Sequence, residues 1–291
     1  NVYLDCVVVL GDEVYDSSLV RIKGEISRGF PKKSYKFKLP SGYKIDIPGG
    51  SSRTINEFHM NSEYHTGTMG HTLSAWWVIQ NSGIPIPDMI VTRVQKNGEY
   101  EGLYTYAEKY EKEWRDEHGY NNGELFEDAS DIHSGANSFA SMISWEQNLN
   151  LDDQDPVKRD YVLDNNNIPA IFNYMSAKTI LSSWDHFIAT NTFPYKDDAT
   201  GRWSHLYWDL SSAFSMDYNR SVYPSPYDNS SGQNTTRISE YSVYGQKDLR
   251  ALYFRRLRTL ADKFYSGDQL DAKFQELEDL YQDEMALDLV K

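Results

Sequence analysis

The sequence has little of what marks several large classes of protein. It contains one cysteine, Cys6, which excludes an internal disulfide, and the alternating run around it predicts a buried small hydrophobe in a strand. No apolar run approaches the roughly 20 residues of a membrane helix. The first residues, NVYLDCVVVL, lack a basic n-region and a cleavage site, so we expect a mature or trimmed domain without a membrane span.

Basic residues are in the minority. The chain has 29 Lys and Arg against 43 Asp and Glu, a net charge of −14. This balance argues against non-specific binding to nucleic acid or to anionic membranes. Any polyanion that the protein handles must therefore meet local basic residues and metal ions. The 291 residues, 40% of them hydrophobic, suffice for one sizeable core or for two lobes sharing a cleft.

Three Asn-x-Ser/Thr sequons begin at Asn219, Asn229 and Asn234 within one polar segment. Such a segment is typical of an exposed loop in a secreted protein. The 22 tyrosines and seven tryptophans are a further, weak compositional sign of a protein that works outside the cytosol. Since cysteine usage leaves the redox compartment open, the expectation of an extracellular or surface location rests on these two features.

Residues 1–110 predict a β-rich lobe with one inserted helix. Apolar and polar residues alternate in VYLDCVVVL, SLVRIKGEI and SYKFKL, as strands require. Helical spacing from Thr68 to Gln80 predicts a helix that stops at NSGIPIP. A hairpin should follow around Asn97-Gly98, because both central positions of that turn type need positive φ.

Residues 111–291 predict a mainly helical second lobe, which makes the fold class α+β. The acidic stretch 111–164 is interpreted as loops and short helices with no obvious chemistry. A helix is expected over 168–184, and the segments NTFPYKD and WSHLYWDL should form two strands joined by DDATG. Leucines and aromatics at helical steps predict an amphipathic helix from Lys247 to Met285.

Three polar residues around that second hairpin carry the strongest chemical signal. Asp185 follows a long helix, Asn191 comes six residues later, and Asp209 ends the second strand. This spacing is typical of protein kinases, in which one Asp accepts the proton of the attacking hydroxyl and an Asn and a second Asp hold magnesium. Taken alone, such residues are more often turn and cap residues.

Four segments in the same order resemble the spore coat protein H (CotH) kinase family. They span roughly Val20 to Phe214. Their sequences are RIKGEISRGFPKKSYKFKL, FHMNSEYHTGTMGHTLSAWWVIQNSGIPIP, VQKNGEYEGLYTYAEKYEKEW and SSWDHF with TGRWSHLYWDLSSAF.

The resemblance implies an atypical, protein-kinase-like fold of two lobes. It implies binding of ATP with Mg²⁺ or Mn²⁺ and phosphorylation of proteins that expose Ser or Thr hydroxyls, as in spore coats. Asp185 would be the catalytic residue, Asp209 a metal ligand and Asn191 the second ligand, with His186 and Thr190 as alternatives in the alignment. The lobe 1–110 would bind the nucleotide phosphates, and the lobe 111–291 would carry catalysis and metal on the hairpin region 184–214.

The same resemblance directs attention to basic residues and to one glutamate in the first lobe. Arg28, Lys32, Lys33 and Lys36 lie in the first matching segment, and we favour Lys33, then Lys36, as the phosphate lysine, with Arg28 beside them. A solvated basic strand face is the alternative. Glu108 lies where the chain of a kinase passes from the first lobe to the second, and its backbone would contact adenine.

Two departures from the family pattern weaken the expectation of activity. The inserted helix has no acidic residue to pair with a lysine, so Glu63 is the nearest candidate, and His71 stands where the family shows a basic or amide residue. Ser211 replaces the second acid of the family's Asp-Leu-Asp pattern. A pseudokinase is therefore one alternative.

Two further functions remain open. CotH-like domains also occur in adhesins and in larger multidomain secreted proteins, so a non-catalytic surface module would use the exposed aromatic residues for recognition. A glycosidase with Asp185 and Asp209 as its carboxylate pair agrees less well, because Asn191 and the basic segment would have no role. Trp184, Trp203 and Trp208 are expected to pack in the core beneath the hairpin, with stacking on adenine as the alternative.

Overall fold

A computed structural model gives the fold. The residues that it describes are 2–24, 26–45, 53–64, 66, 69–128, 130–152, 155–183, 186, 191–214 and 242–288. They form two compact units. Unit 1 comprises Asn1–Leu73, Pro87–Asn121 and Phe274–Lys291, and unit 2 comprises Ser74–Ile86 and Asn122–Lys273. The predicted lobes 1–110 and 111–291, with their assigned roles, stay a prediction, and the three sequons lie outside the described residues.

Unit 1 is built on a six-stranded antiparallel sheet. Its spatial order is β1-β2-β3-β6-β8-β7. The strands are β1 Leu4–Leu10, β2 Glu13–Ile22, β3 Tyr35–Lys38, β6 Glu57–Asn61, β7 Met89–Lys96 and β8 Glu99–Ala107. A two-stranded ribbon pairs β4 Lys44–Ile45 with β5 Arg53–Thr54, a 3₁₀ turn spans Ile26–Gly29, and helix α2 spans Lys112–His118.

The two faces of this sheet differ because successive side chains on a strand point to opposite sides. One face packs an aromatic core that includes Tyr15, Phe58, Tyr104 and Tyr106. The opposite face of β7 and β8 contributes to a second cluster, in which Leu103 packs with residues of helices α1 Met69–Asn81 and α7 Gln269–Leu287. On β2, β3 and β6 that same face carries mainly charged and polar side chains.

The hairpin predicted at Asn97-Gly98 is confirmed. Asn97 and Gly98 have φ of 54° and 85°, and the flanking residues Lys96 and Glu99 pair across the turn. Helix α1 is also confirmed, and it ends where Gly83 adopts a φ of 78°. Both features were predictable because local turn chemistry determines them.

Unit 2 places a four-stranded antiparallel sheet against helices. The sheet has the order β10-β9-β11-β12, with β9 Gly123–Glu127, β10 Asp131–Ser134, β11 Thr192–Asp197 and β12 Trp203–Tyr207. The helices are α3 Ala140–Leu149, α4 Pro156–Asn165, α5 Ile168–Leu181 and α6 Lys247–Phe264. Trp145 and Trp203 stack at 4.4 Å between ring centroids in the core, so Trp203 packs as predicted.

The fold class is α+β, as predicted, but the structure differs from the sequence interpretation in three regions. Strand β6 had not been predicted, and the stretch interpreted as loops and short helices contains strands β9 and β10 as well as helices. The stretch predicted as helix from Lys247 to Met285 forms two helices, α6 and α7. The break between them lies at Gly267 and Asp268, and Asp268 has a φ of 53°. In the described part of the chain, no helix is long and apolar enough to cross a membrane.

Candidate functional site

The β11–β12 hairpin brings Asn191 and Asp209 to the same end of the unit 2 sheet. Thr192 pairs with Tyr207, which places Asn191 just before β11 and Asp209 two residues after β12. The Trp208 N–H donates to the Asn191 carbonyl at 2.9 Å and closes this end of the hairpin. The predicted turn DDATG lies at the opposite end, where the Asp197 carboxylate accepts the N–H of Ala199 at 2.7 Å.

A third polar residue, Asp128, also lies at this end of the sheet and was not identified from the sequence. It follows β9, and its carboxylate accepts the N–H of Thr192 at 2.9 Å. Its own N–H donates to the Thr192 carbonyl at 2.9 Å. No sequence pattern identified it, because it lies in the stretch that had been interpreted as having no chemistry. Its bonds fix the backbone next to Asn191.

These three residues share an unusual backbone conformation. Asp128, Asn191 and Asp209 have φ of 51°, 58° and 49°, in the left-handed region. Asn and Asp enter this region more readily than other non-glycine residues. Residues held there cluster at functional sites, where the surrounding structure stabilises them. The end of the sheet therefore has the backbone character of a site as well as the oxygen donors.

Asp185 and Trp184 lie outside the described residues, as does Thr190, but Ser183 and His186 on either side of Asp185 are described. The Ser183 hydroxyl lies 2.7 Å from His186 Nδ1 and 2.9 Å from the Ser212 hydroxyl. His186 Nε2 lies 3.0 Å from the Trp208 carbonyl. Since a carbonyl can only accept, Nε2 donates to it, and in the neutral ring Nδ1 therefore accepts from Ser183. Ser183 and His186 thus contact residues on both flanks of Asp209.

The His186 ring is held neutral. Burial lowers its pKa to about 4, the Lys178 ammonium acts in the same direction, and the nearby Asp209 carboxylate opposes them. His205, also buried, has its pKa lowered to about 3 by burial and by Lys178. The hydrogen bonds of His186 agree with a neutral imidazole in which Nε2 carries the proton and Nδ1 accepts.

The Asp209 side chain is half-buried and oriented by its own turn. Its Oδ1 accepts the N–H of Ser211 at 3.1 Å. Ser211, which replaces the expected second acid, is also half-buried. The remaining tryptophan of the predicted cluster, Trp208, is half-buried and lies edge-on to Phe193 at 6.2 Å.

In unit 1 the predicted basic residues lie in different environments. Lys33 donates to the carbonyl of the exposed Arg28 at 2.7 Å, so both belong to one turn. Lys36, on β3, forms an ion pair with Glu57 on β6. Lys32, which had been ranked below them, is buried and pairs with Asp288 at 2.5 Å.

A basic group that the sequence analysis missed lies on the polar face of this sheet. Lys23 Nζ donates to Asn61 Oδ1 at 2.7 Å and lies 3.2 Å from Nδ1 of the buried His59. Arg21, Lys36 and His59 stand in register on β2, β3 and β6. Burial, then the charges of Lys23, Lys109, Lys36 and Arg21, lower the pKa of His59 well below its usual value. Several cations therefore meet on one sheet face.

The family description "CotH kinase protein" matches residues 20–290, nearly the whole chain. The chain belongs to the CotH kinase family. No curated protein matches the sequence significantly. The resemblance noted from four sequence segments is thus confirmed, and the match extends through the C-terminal helices.

Three further residues of interest in this CotH kinase chain lie in unit 1. Glu108 is buried directly after β8, and its N–H donates to the Asp88 carbonyl at 3.3 Å. Glu63 is buried with a φ of 52°, and its carboxylate accepts the hydroxyl of Thr72 on α1 at 2.5 Å. His71, on the same helix, is half-buried.

The oxygen-bearing side chains at this end of the hairpin are of the type that binds a hard cation. Asp209 offers a carboxylate and Asn191 an amide oxygen, the ligand types that Mg²⁺ prefers. Within the ranges described, no three His, Cys, Asp or Glu side chains converge as a metal-binding group. A complete coordination sphere would therefore need Asp185, waters or the phosphates of a substrate.

Proposed function

We propose that this chain is an atypical protein kinase that transfers the γ-phosphoryl group of ATP to Ser or Thr hydroxyls with the help of Mg²⁺ or Mn²⁺. The observation that carries the proposal is the network of Ser183 and His186, which ties the segment containing Asp185 to the backbone around Asp209. Ser183 and His186, which lie on either side of Asp185 in the sequence, are thereby bonded to the residues that flank Asp209.

In this proposal Asp185 is the base. The hydroxyl oxygen of the acceptor forms a bond to the γ-phosphorus as the bond to the ADP oxygen breaks, and the hydroxyl proton passes to the Asp185 carboxylate. Asp209 and Asn191 would hold the divalent metal, which neutralises charge on the phosphates. His186 keeps the segment in place and takes no part in proton transfer, since its ring is neutral and both nitrogens are hydrogen-bonded.

The phosphates would be met by the basic residues of unit 1. Arg28, Lys33 and Lys36 are the residues proposed from the family resemblance, and Lys23 adds a further cation beside His59. The two units would act as the lobes of a kinase-like fold, with the backbone of Glu108 contacting adenine. Supporting features are the antiparallel sheet of unit 1 and the helix α1 between β6 and β7, the order expected for a nucleotide-binding lobe.

A phosphotransfer assay with labelled ATP and Mn²⁺ on a serine-rich protein acceptor tests the proposal. Asp185→Asn and Asp209→Asn should each lower transfer by about 10² to 10⁴-fold, because each removes a group needed in the transition state. Asp198→Asn is the matched control, since Asp198 is exposed at the opposite end of the same hairpin. Wild-type rates in both site variants would refute the assignment.

One observation favours a second candidate, a pseudokinase or non-catalytic surface module. Ser211 replaces an acid beside Asp209, and loss of such a neighbour weakens metal binding by about tenfold or more. This candidate predicts partner or glycan binding without any effect of nucleotide. Ser211→Asp distinguishes the kinase from the non-catalytic candidate, because it should strengthen Mn²⁺ binding in an active kinase.

An extracellular or spore-surface location, and membership of a larger multidomain protein, are proposed on the family resemblance.

A further inference from the structure

The ammonium group of Lys32 is fully engaged within unit 1. Its Nζ donates to the Leu103 carbonyl at 2.6 Å and to Asp288 Oδ2 at 2.5 Å. It also lies 4.7 Å from the centroid of the Tyr104 ring. The side chains of Lys32 and Asp288 are 4% and 8% exposed. Lys32 is therefore turned inward, unlike its neighbour Lys33.

The backbone of β8 is shaped to receive the Asp288 carboxylate. The N–H of Leu103 donates to Asp288 Oδ2 at 3.1 Å. Gly102 has a φ of 135°, and a Cβ at this position would lie 2.6 Å from the same oxygen. Only glycine leaves room for the carboxylate here. We call the group of Lys32, Gly102, Leu103 and Asp288 the Lys32 clasp.

The clasp lies at the end of a helix that is already seated on the sheet. Leu277, Tyr281 and Met285 of α7 pack in the apolar cluster with Leu103. In the last turn of α7, the Glu284 carbonyl accepts the Tyr100 hydroxyl at 3.3 Å, and the Glu284 carboxylate pairs with Arg93 at 3.1 Å. A buried ion pair adds little net stability over apolar residues, so its presence points to a role in specifying one arrangement.

Lys32 itself belongs to the turn that links β2 to β3. The stem of this turn is closed by the Lys23 N–H, which donates to the Ser34 carbonyl at 2.9 Å. Ser34 Oγ accepts the Ser62 N–H at 3.0 Å. Within the turn, Lys33 donates to the Arg28 carbonyl, so the two proposed phosphate-binding residues are fixed to each other. Lys32 joins this basic turn to β8 and to the end of α7.

We propose that Asp288 is a positioning residue, which acts through Lys32 to hold the basic turn of residues 26–34 in the conformation that presents Arg28 and Lys33 to a polyphosphate. The inference rests on the proposed function for its ligand, ATP. It assigns Lys32 no contact with phosphate, since its donors are used inside the clasp. The acid that orders the basic segment thus comes from α7 and not from the inserted helix α1.

The test compares Asp288→Asn with Glu284→Gln in the full chain. Asp288→Asn keeps the shape of the side chain but removes the charge that holds Lys32, whereas Glu284 is half-exposed on the same helix. Amide exchange by mass spectrometry should rise in residues 26–34 of Asp288→Asn by about tenfold or more beyond any rise in α2, which reports the general loss of stability. The KM for ATP should rise about tenfold with kcat within about twofold, because only binding geometry is altered.

Glu284→Gln should match wild type in both measurements. Gly102→Ala provides a second approach, because it displaces the carboxylate while both charged residues remain, and it should give the same pattern of exchange. Unchanged exchange over 26–34 in Asp288→Asn, or a fall in kcat with constant KM, would overturn the inference. Absence of any ATP-dependent transfer by wild type would instead refute the proposed function, and the exchange data would still decide whether the clasp orders the turn.

Discussion

Each of the two units anchors a candidate functional segment with a buried polar network, and the two networks differ in charge. In unit 1, Lys32 and Asp288 form an ion pair against the backbone of β8. In unit 2, Ser183, His186 and Ser212 form neutral hydrogen bonds that end on the Trp208 carbonyl. A charged network holds a turn and a helix together, whereas a neutral one holds two loops next to the candidate metal ligands.

Because the networks differ in charge, mutation and protonation should disrupt them to different extents. Removal of one partner from a buried ion pair leaves an uncompensated charge in a low-dielectric interior, which is severely destabilising. A neutral network loses only single hydrogen bonds on mutation, but protonation of its histidine breaks it. The first network should therefore be sensitive to mutation and the second to pH.

The largest expected effect is on the charged network. Lys32→Met should lower the free energy of unfolding by about 3–5 kcal/mol, because Asp288 would remain buried without its cation. Urea denaturation followed by fluorescence measures this change. Lys33→Met is the control and should cost less than about 1 kcal/mol, since Lys33 makes one bond at the surface. Equal costs for the two variants would contradict the contrast.

A smaller effect concerns pH and the neutral network. The pKa of His186 is lower in the folded protein than in the unfolded chain, so its contribution to stability is complete above about pH 6.5 and is lost as the pH falls towards 4. The stability advantage of wild type over His186→Gln should shrink by about 3 kcal/mol between pH 7 and pH 4. A difference that is independent of pH would show that His186 is not buried in its neutral form.

The smallest effect isolates one hydrogen bond of the same network. Ser212→Ala removes the hydroxyl that contacts Ser183 and should cost about 1 kcal/mol in the free energy of unfolding. Ser144→Ala, at an exposed position of α3, should change it by less than about 0.5 kcal/mol. A cost for Ser212→Ala as large as that of Lys32→Met would remove the distinction between the two networks.

Much of the fold followed from local signals in the sequence. The Asn97-Gly98 turn, the β11–β12 hairpin and the apolar period of α5 each depend on residues within about one turn or one strand pair. Strand β6 was missed although its five residues, EFHMN, alternate between polar and apolar, because so short a run gives only a weak periodic signal. The break between α6 and α7 depends on a short Gly-Asp segment that an amphipathic pattern obscures.

The candidate site was predictable only in part. Asn191 and Asp209 were identified because kinase chemistry fixes residue types and spacing on one hairpin. Asp128 and Asp288 were missed because their roles depend on pairing between segments far apart in the chain, Lys32 and Asp288 being 256 positions apart. Periodicity gives no information on such contacts. The catalytic role of Asp185, the metal roles of Asn191 and Asp209, the adenine contact of Glu108 and the phosphate roles of Arg28, Lys33 and Lys36 all stay predictions.

Calorimetric titration with ATP in the presence of Mn²⁺ tests whether Asp209 and Asp185 belong to one metal–nucleotide site, as proposed. Wild type should bind the metal–nucleotide complex, with binding that disappears when Mn²⁺ is chelated. Asp209→Asn should weaken binding by about tenfold or more, whereas Asp185→Asn should bind nearly as wild type, because a base contributes mainly to the chemical step. Binding by Asp209→Asn that equals wild type and persists without metal would contradict the account.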